Sequence, residues 1–105
     1  MYIINHLSLQ VVETLFIHAS RYRTAQNMVG LKDGSNLVFT TPTQERYLHN
    51  LPFFSIALFY NGVRLSLLDD YMVVESGGLG TGFDTVVLYE APFSNDHLLA
   101  DYVTA

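Results

Sequence analysis

The residues of this chain that come closest to a chemical motif form a glycine-rich cluster, Gly77-Gly78-Leu79-Gly80-Thr81-Gly82. Closely spaced glycines let backbone N–H groups approach an anion, as in phosphate-binding loops. Counted from Gly78, the dinucleotide-binding fingerprint requires a third glycine where this chain has Phe83, and no Lys-Ser or Lys-Thr pair follows as in a Walker loop. Residues 84–88, which come next, favour a strand. The cluster therefore predicts a turn or a long hairpin loop.

The titratable residues form no recognisable catalytic or metal-binding pattern. Four histidines lack the spacings that place metal ligands on one face: His6, His18, His49 and His97. Asp33 and the pair Asp69-Asp70 lack the alternating ligands and terminal glutamate of a calcium loop, and fit turn residues better. His97 beside Asp96 is too common a pair to identify a nucleophilic triad. We therefore expect no enzymatic activity, no catalytic residue, no cofactor and no metal.

Tyrosine is the residue type most relevant to recognition here, because its large apolar ring ends in a hydrogen-bonding group. The chain has seven: Tyr2, Tyr22, Tyr47, Tyr60, Tyr71, Tyr89 and Tyr102. Such residues suit interfaces and sugar-binding platforms. Alternatively, Tyr60, Tyr71, Tyr89 and Tyr102 alternate out of strands and pack against cross-strand neighbours. A glycan-binding site would need an exposed aromatic platform beside Asp or Asn, with Tyr47 and Tyr89 as the residues to substitute.

Composition excludes several classes of protein. Of the 105 residues, 50% are hydrophobic and 14% charged, and five basic against ten acidic side chains give a net charge of -5. The basic residues are too few and too scattered to track a nucleic-acid backbone, and no apolar run approaches the roughly 20 residues of a membrane-spanning helix. Because cysteine is absent, thiol chemistry and disulfides are excluded. So much apolar content in a small domain favours partial burial against other subunits. The alternative is an ordinary β-rich core with a typical apolar fraction at the surface.

The pattern beyond residue 37 predicts an all-β fold. Turn-forming clusters recur about every eight to twelve residues, as in a sandwich or barrel. Six segments between them are rich in β-branched and aromatic residues: residues 37–41, 53–60, 63–67, 71–76, 85–90 and 97–104. The strongest local signal is Asn61-Gly62, because Asn tolerates and Gly readily adopts the positive φ of a type I′ hairpin turn. Apolar residues on both faces of residues 54–60 predict a strand covered on both sides.

The first thirty residues are ambiguous. Their β-branched residues favour strands, whereas Leu7, Val11, Leu15 and His18 would line one face of a helix. Residues 20–27 are polar and predict a hairpin loop or a flexible connection. We expect a single domain over residues 1–105, in which residues 1–29 supply amino-terminal strands or an assembly arm and residues 30–105 form a β-sandwich module. The alternative is that the amino-terminal residues form central strands of the monomer's own core.

From about Gly30 to its end, the chain resembles a small β module of tailed-bacteriophage virion structural proteins. Short motifs carry the resemblance: Asp33-Gly34-Ser35-Asn36-Leu37-Val38-Phe39-Thr40 with Pro42, Phe59-Tyr60-Asn61-Gly62-Val63-Arg64-Leu65, Asp70-Tyr71, Val86-Val87-Leu88, Ala91-Pro92, Asn95-Asp96 and residues 98–102. The module is a folding pattern, without catalytic residues to transfer. The resemblance implies assembly in a host cytoplasm, a place in the virion, and partners that are further copies of the chain and other virion proteins. Residues 43–52 and 77–84 lengthen connections that are usually short in this module.

These observations predict an all-β fold, an antiparallel β-sandwich or barrel-like sandwich of about seven to nine strands. We expect it to be a structural subunit of a tailed bacteriophage particle, in its tail, neck, fibre or head decoration, acting through self-assembly and contacts with other virion proteins. We expect no nucleic acid and no membrane as partners. The alternative is a carbohydrate-binding or host-attachment module. Residues 43–52 and 77–84 are the predicted inter-subunit contacts, because binding residues are often carried on loops of a rigid scaffold.

Overall fold

The structure, a computed structural model, describes residues 21–52 and 54–105. Within these ranges the chain forms seven strands and one short 3-10 helix, Pro42–Gln44. The strands are β1 (Tyr22–Asn27), β2 (Val38–Thr40), β3 (Ala57–Tyr60), β4 (Val63–Arg64), β5 (Tyr71–Val74), β6 (Thr85–Leu88) and β7 (Leu98–Val103). The predictions of strand, helix or assembly arm for residues 1–20 lie outside the described residues.

The seven strands form two antiparallel sheets, which confirms the predicted all-β sandwich. The four-stranded sheet has the order β1-β7-β3-β4, and the three-stranded sheet has the order β2-β6-β5. Each of the six predicted segments contains one of the strands β2 to β7, and every strand is shorter than its segment. The remaining residues of each predicted segment lie outside the paired strand, in the connections between strands.

The two sheets are joined at both edges, which makes the sandwich barrel-like. At one edge Val29, just after β1, exchanges two backbone hydrogen bonds with Thr40 of β2, at 2.7 and 2.9 Å. At the other edge Leu67 bridges to Tyr71 of β5, and the N–H of Leu68 donates to the carbonyl of Tyr71 at 2.7 Å. These bridges pair backbone groups that would otherwise lie open at the sheet edges.

The core lies between the sheets. Alternate strand residues face inward and are nearly inaccessible to solvent: Phe39, Tyr71, Val86 and Leu88 from the three-stranded sheet, and Leu58, Leu98, Ala100 and Tyr102 from the four-stranded sheet. Tyr71 also connects the sheets by a hydrogen bond, because its hydroxyl donates to the carbonyl of Ile56 at 2.8 Å. Burial of apolar area, worth about 25 cal/mol per Å², is the main force holding the sheets together.

The Asn61-Gly62 turn between β3 and β4 has the backbone that the sequence predicts. Asn61 has φ 50° and Gly62 has φ 85°, so both central residues occupy the left-handed region that a type I′ turn requires. A side chain added at Gly62 would meet no atom within 4 Å. The positive φ, and not a lack of space, therefore restricts which residues position 62 can accept.

Replacing Gly62 with Val should lower the free energy of unfolding by roughly 1 to 3 kcal/mol, because a β-branched residue resists positive φ. Gly62→Asn is the matched control, since Asn tolerates this conformation, and it should lose much less. Urea unfolding followed by circular dichroism measures both variants. Equal stability of Gly62→Val and the parent chain would contradict the turn assignment.

One predicted connection is wrong, because residues 22–27 are strand β1 and not a hairpin loop. The strand pairs with β7, and Met28 continues the ladder by donating its N–H to the carbonyl of Leu98 at 3.1 Å. A bulge interrupts its side-chain alternation: Ala25 has φ 50° and donates its N–H to the carboxylate of Asp101 at 2.7 Å. Since Val29 also pairs with β2, the predicted division between residues 29 and 30 falls inside the sandwich.

The segment predicted to be covered on both faces is less regular than expected. Only Ala57–Tyr60 of residues 54–60 form strand β3, with Phe54 in an isolated bridge to Asn50. The inward residues Ile56 and Leu58 are buried, as alternation predicts. On the other face Ala57 and Phe59 are half-buried. The outer face of β3 is therefore partly covered, and it retains apolar area at the surface.

The carboxylate of Asp96 ties the β3–β4 turn to the loop between β6 and β7. It accepts hydrogen bonds from the Tyr60 hydroxyl, from Asn61 Nδ2 at 2.9 Å and from the N–H of Phe93 at 2.8 Å. These bonds, led by that from Tyr60, lower the pKa of Asp96 to about 2. The same bond raises the pKa of Tyr60 to about 12. The Asn61 N–H also donates to the carbonyl of His97 at 2.9 Å, so the turn and the loop are held at two points.

The stability contributed by Asp96 should disappear in acid. Its pKa is about 2 in the folded chain against an ordinary 3.8, so between about pH 4 and pH 2 the unfolded chain binds a proton that the folded chain does not. The contribution is therefore complete above about pH 4 and is lost as the pH falls towards 2. Comparing urea unfolding of the parent chain and Asp96→Asn, we expect the parent's advantage at pH 6 to shrink steadily towards pH 2. A difference independent of pH would contradict the assignment.

Candidate functional site

The glycine cluster forms the hairpin loop between β5 and β6, as predicted. Backbone N–H groups of this loop donate hydrogen bonds to carboxylates in or beside the loop. The N–H of Gly82 donates to the carboxylate of Glu75 at 2.8 Å, and the N–H of Ser76 donates to the carboxylate of Asp84 at 3.0 Å. Two carboxylates already accept these hydrogen bonds, and their negative charge opposes an anionic ligand. At the tip, the side chain of Leu79 is completely exposed. The loop presents an apolar contact point rather than a phosphate cradle.

Asp84 is buried at the base of this loop. Burial raises the pKa of its carboxyl, but hydrogen bonds from Ser76 and Thr85, with the nearby charge of Arg46, outweigh that effect and lower the pKa below its ordinary value. Its backbone carbonyl accepts the N–H of Thr41 at 3.1 Å. Asp84 is thus ionised, and its hydrogen bonds fix the loop to the sandwich.

The other titratable residues singled out from the sequence are not brought together. Asp33 stabilises a turn by accepting the N–H groups of Ser35 and Asn36 at 2.9 and 2.8 Å. His49 lies elsewhere, with Nδ1 2.8 Å from the hydroxyl of Ser55. Over residues 21–52 and 54–105, no three His, Asp or Glu side chains are grouped so that they could hold a metal ion. His6 and His18 lie outside the described residues.

The outer face of the three-stranded sheet is largely apolar and partly exposed. Strands β2, β5 and β6 contain no charged residue. Their register places Val38, Val87 and Met72 side by side across the sheet. The adjacent row has Val29 and Val74 at its two ends, with Thr40 and the buried Thr85 between them. Val38 is 49% exposed and Met72 41%. Antiparallel strands usually carry polar residues on their solvent side, so this surface, here called the open face, has the composition of a contact surface.

A small cavity of about 160 Å³ lies between the turn after β4 and the end of β6. Two tyrosines, Tyr60 and Tyr89, line it together with three acidic residues, Asp69, Asp70 and Glu90. The Tyr89 side chain is 49% exposed. The cavity therefore combines an accessible aromatic ring with hydrogen-bond acceptors, the arrangement that sugar recognition requires.

The remaining tyrosines divide between core and surface. Tyr47 is only 1% exposed, so the prediction that it belongs to a glycan platform is wrong. Its isolated bridges to Phe83 and Thr104 place it between the two sheets. The alternative interpretation of the strand tyrosines is confirmed for Tyr71 and Tyr102, which are buried in the core.

A larger groove, of about 840 Å³, opens at the end of the four-stranded sheet where β1 begins and β7 ends. Leu48, Leu51 and Phe54, from the connection before β3, line one side of it. The outward-facing residues Ala57 and Phe59 of β3 also line it. Part of the predicted contact loop, residues 43–52, thus lines a groove of its own subunit, and its contact with a neighbouring subunit stays a prediction.

Sequence reasoning missed both the open face and the groove. The open face has a sequence signal: Tyr71–Val74 is apolar at both alternations, and Thr85–Leu88 is apolar except at Thr85. One alternation of each strand faces out of the sandwich, so apolar residues must lie on that outer face. The groove has no such signal, because its walls come from segments that are distant in sequence. Only the folded topology places the first residues of β1 beside the connection before β3.

Comparison with known proteins yields no matching family model, no matching curated protein and no matching solved structure. Within the described part of the chain, no helix is long and apolar enough to cross a membrane. Functional inference therefore depends on the surfaces described above.

Proposed function

We propose that this protein is a structural subunit of a tailed bacteriophage particle, and that it acts by binding copies of itself and neighbouring virion proteins. The open face is the observation that supports this proposal best. The resemblance of residues 30–105 to a phage virion module suggests that the assembly is a phage particle. The protein would be made in the host cytoplasm and would reside in the virion.

The physical argument concerns what the open face does in water. Val38, Met72 and Val87 form a continuous row without a charged residue in any of the three strands. Apolar area is stabilised by removal from water at about 25 cal/mol per Å², and a flat sheet face can bury much of its area at once against a similar surface. Leu79, fully exposed at the tip of the β5–β6 loop, provides a second apolar contact. Association with another protein surface is the function that this composition favours.

A charge on the open face should prevent this association. Met72→Glu would place an unpaired carboxylate inside the buried interface, and burying such a charge is costly, so we expect self-association to weaken at least about tenfold. Sedimentation velocity over a range of protein concentrations measures the effect. Val63→Glu is the matched control, because Val63 is 66% exposed on β4 and lies outside the open face. Equal weakening by both variants, or a parent chain that is monomeric at all concentrations, would contradict self-assembly through this face.

The cavity beside Tyr89 favours a second candidate function, carbohydrate binding or host attachment. An aromatic ring stacks on the apolar face of a sugar, while carboxylates accept hydrogen bonds from its hydroxyls. Tyr89 is exposed, and Asp69, Asp70 and Glu90 lie around the same cavity. The volume of about 160 Å³ suits one sugar ring rather than a long chain.

A glycan array tests this second candidate. If the protein binds a particular glycan, Tyr89→Ala should weaken binding at least about fivefold, the equivalent of losing about 1 kcal/mol of ring contact. Tyr22→Ala is the control, because Tyr22 is 48% exposed but lies on β1, away from the cavity. Binding that survives Tyr89→Ala would place the glycan elsewhere. An array without selective binding would contradict this second candidate and leave the structural subunit as the remaining proposal.

A further inference from the structure

We propose that the groove at the end of the four-stranded sheet is the docking site for residues 1–20 of the same chain. The groove is a surface distinct from the open face. The inference therefore stands independently of the proposed assembly function.

The groove has the size and chemistry to hold a peptide segment. Its volume is about 840 Å³, and Leu48, Leu51, Phe54 and Phe59 give it apolar walls. Leu51 and Phe54 are 54% and 43% exposed, so these walls are open to solvent in the described residues. An apolar groove of this size lowers its free energy when an apolar segment fills it.

Residues 1–20 have the matching composition. Twelve of these twenty residues are apolar, and Glu13 is their only Asp, Glu, Lys or Arg. The groove is lined by Arg21 and Arg64, and by Asp101, whose carboxylate already accepts the N–H of Ala25. The net positive lining complements the single carboxylate of the segment.

The segment also has the required position and length. It ends at residue 20, and the next residue, Arg21, itself lines the groove. Four strands at about 4.8 Å spacing span about 14 Å, which an extended chain at about 3.3 Å per residue crosses in about five residues. Twenty residues in a helix would reach about 30 Å. The segment can therefore fill the groove in either conformation.

Attachment at the groove favours the chain's own segment over that of another copy. A segment tethered at Arg21 has an effective concentration in the millimolar range near the groove, whereas a segment from another molecule must compete from bulk solution. Docking in the same molecule would cover the outer face of β3, of which Ala57 and Phe59 are otherwise only half-buried.

Photo-cross-linking of the full-length chain tests this inference. Because the chain has no cysteine, Val12→Cys allows a benzophenone maleimide to be attached at one position only. Irradiation of an equal mixture of ¹⁴N and ¹⁵N protein, followed by mass spectrometry of the cross-linked peptides, identifies the contact and its source. We expect cross-links to residues 48–59, with both peptides carrying the same isotope. Adding Phe59→Glu should remove most of this product, whereas Val63→Glu should leave it.

Other outcomes would overturn the inference. Cross-links that mix the two isotopes would assign the groove to the segment of another copy, and cross-links to Met72 or Val87 would assign the segment to the open face. An absence of cross-links within residues 48–59 would mean that the groove holds something else. Val38→Cys on the open face, labelled in the same way, is the control and should give no cross-link to the groove within one molecule. If the proposed assembly function fails while the groove cross-links form, this inference remains.

Discussion

Tyr47 connects the two sheets through both its backbone and its side chain, in addition to the bridges at the sheet edges. Its N–H donates to the carbonyl of Phe83 at 2.8 Å, and its hydroxyl donates to the carbonyl of Thr85 at 2.6 Å. Its ring packs against Phe83 and Tyr102, with centroids 6.2 and 6.1 Å apart. Burial raises the pKa of the Tyr47 hydroxyl well above its ordinary value, and the charge of Asp84 adds to this, so the hydroxyl remains a donor at any physiological pH. The connection between β2 and β3 thus links the two sheets, although it contains little regular secondary structure.

Hydrogen bonds accepted by charged residues support this connection and other loops. Glu45, close to Tyr47 in sequence, accepts hydrogen bonds from the Tyr102 hydroxyl at 2.9 Å and from Arg23 at 3.2 Å. Asp84 and Asp96 likewise hold loops to the ends of strands. These three acidic residues lie in connections between strands, whereas strands β2, β5 and β6 contain no charged residue. In a chain with only 14% charged residues, none lies in the three strands that form the open face.

Local chemistry accounts for the part of this fold that the sequence predicts. Asn61-Gly62 is recognisable because positive φ is a property of these two residues, and the strands β2 to β7 follow from β-branched and aromatic runs. β1 could not be predicted from the sequence, because most of its residues are polar and the bulge at Ala25 interrupts the alternation of its side chains. Tyr47 is misassigned to the surface because its partners, Phe83 and Thr104, lie far along the chain. Positions defined by distant partners, including both walls of the groove, require the topology before they can be recognised.

The two apolar outer surfaces differ in a way that follows from chain connectivity. The groove is lined by Arg21, and residues 1–20, which precede Arg21 in the sequence, are rich in apolar residues and would be tethered there at high effective concentration. Among the described residues, Val29 and Val74 in the outer row of the open face continue into polar or glycine-containing turns. A surface without an occupant in its own chain lowers its free energy only by contact with another molecule. We therefore propose different roles for the two surfaces: the groove completes the subunit, and the open face joins it to a partner.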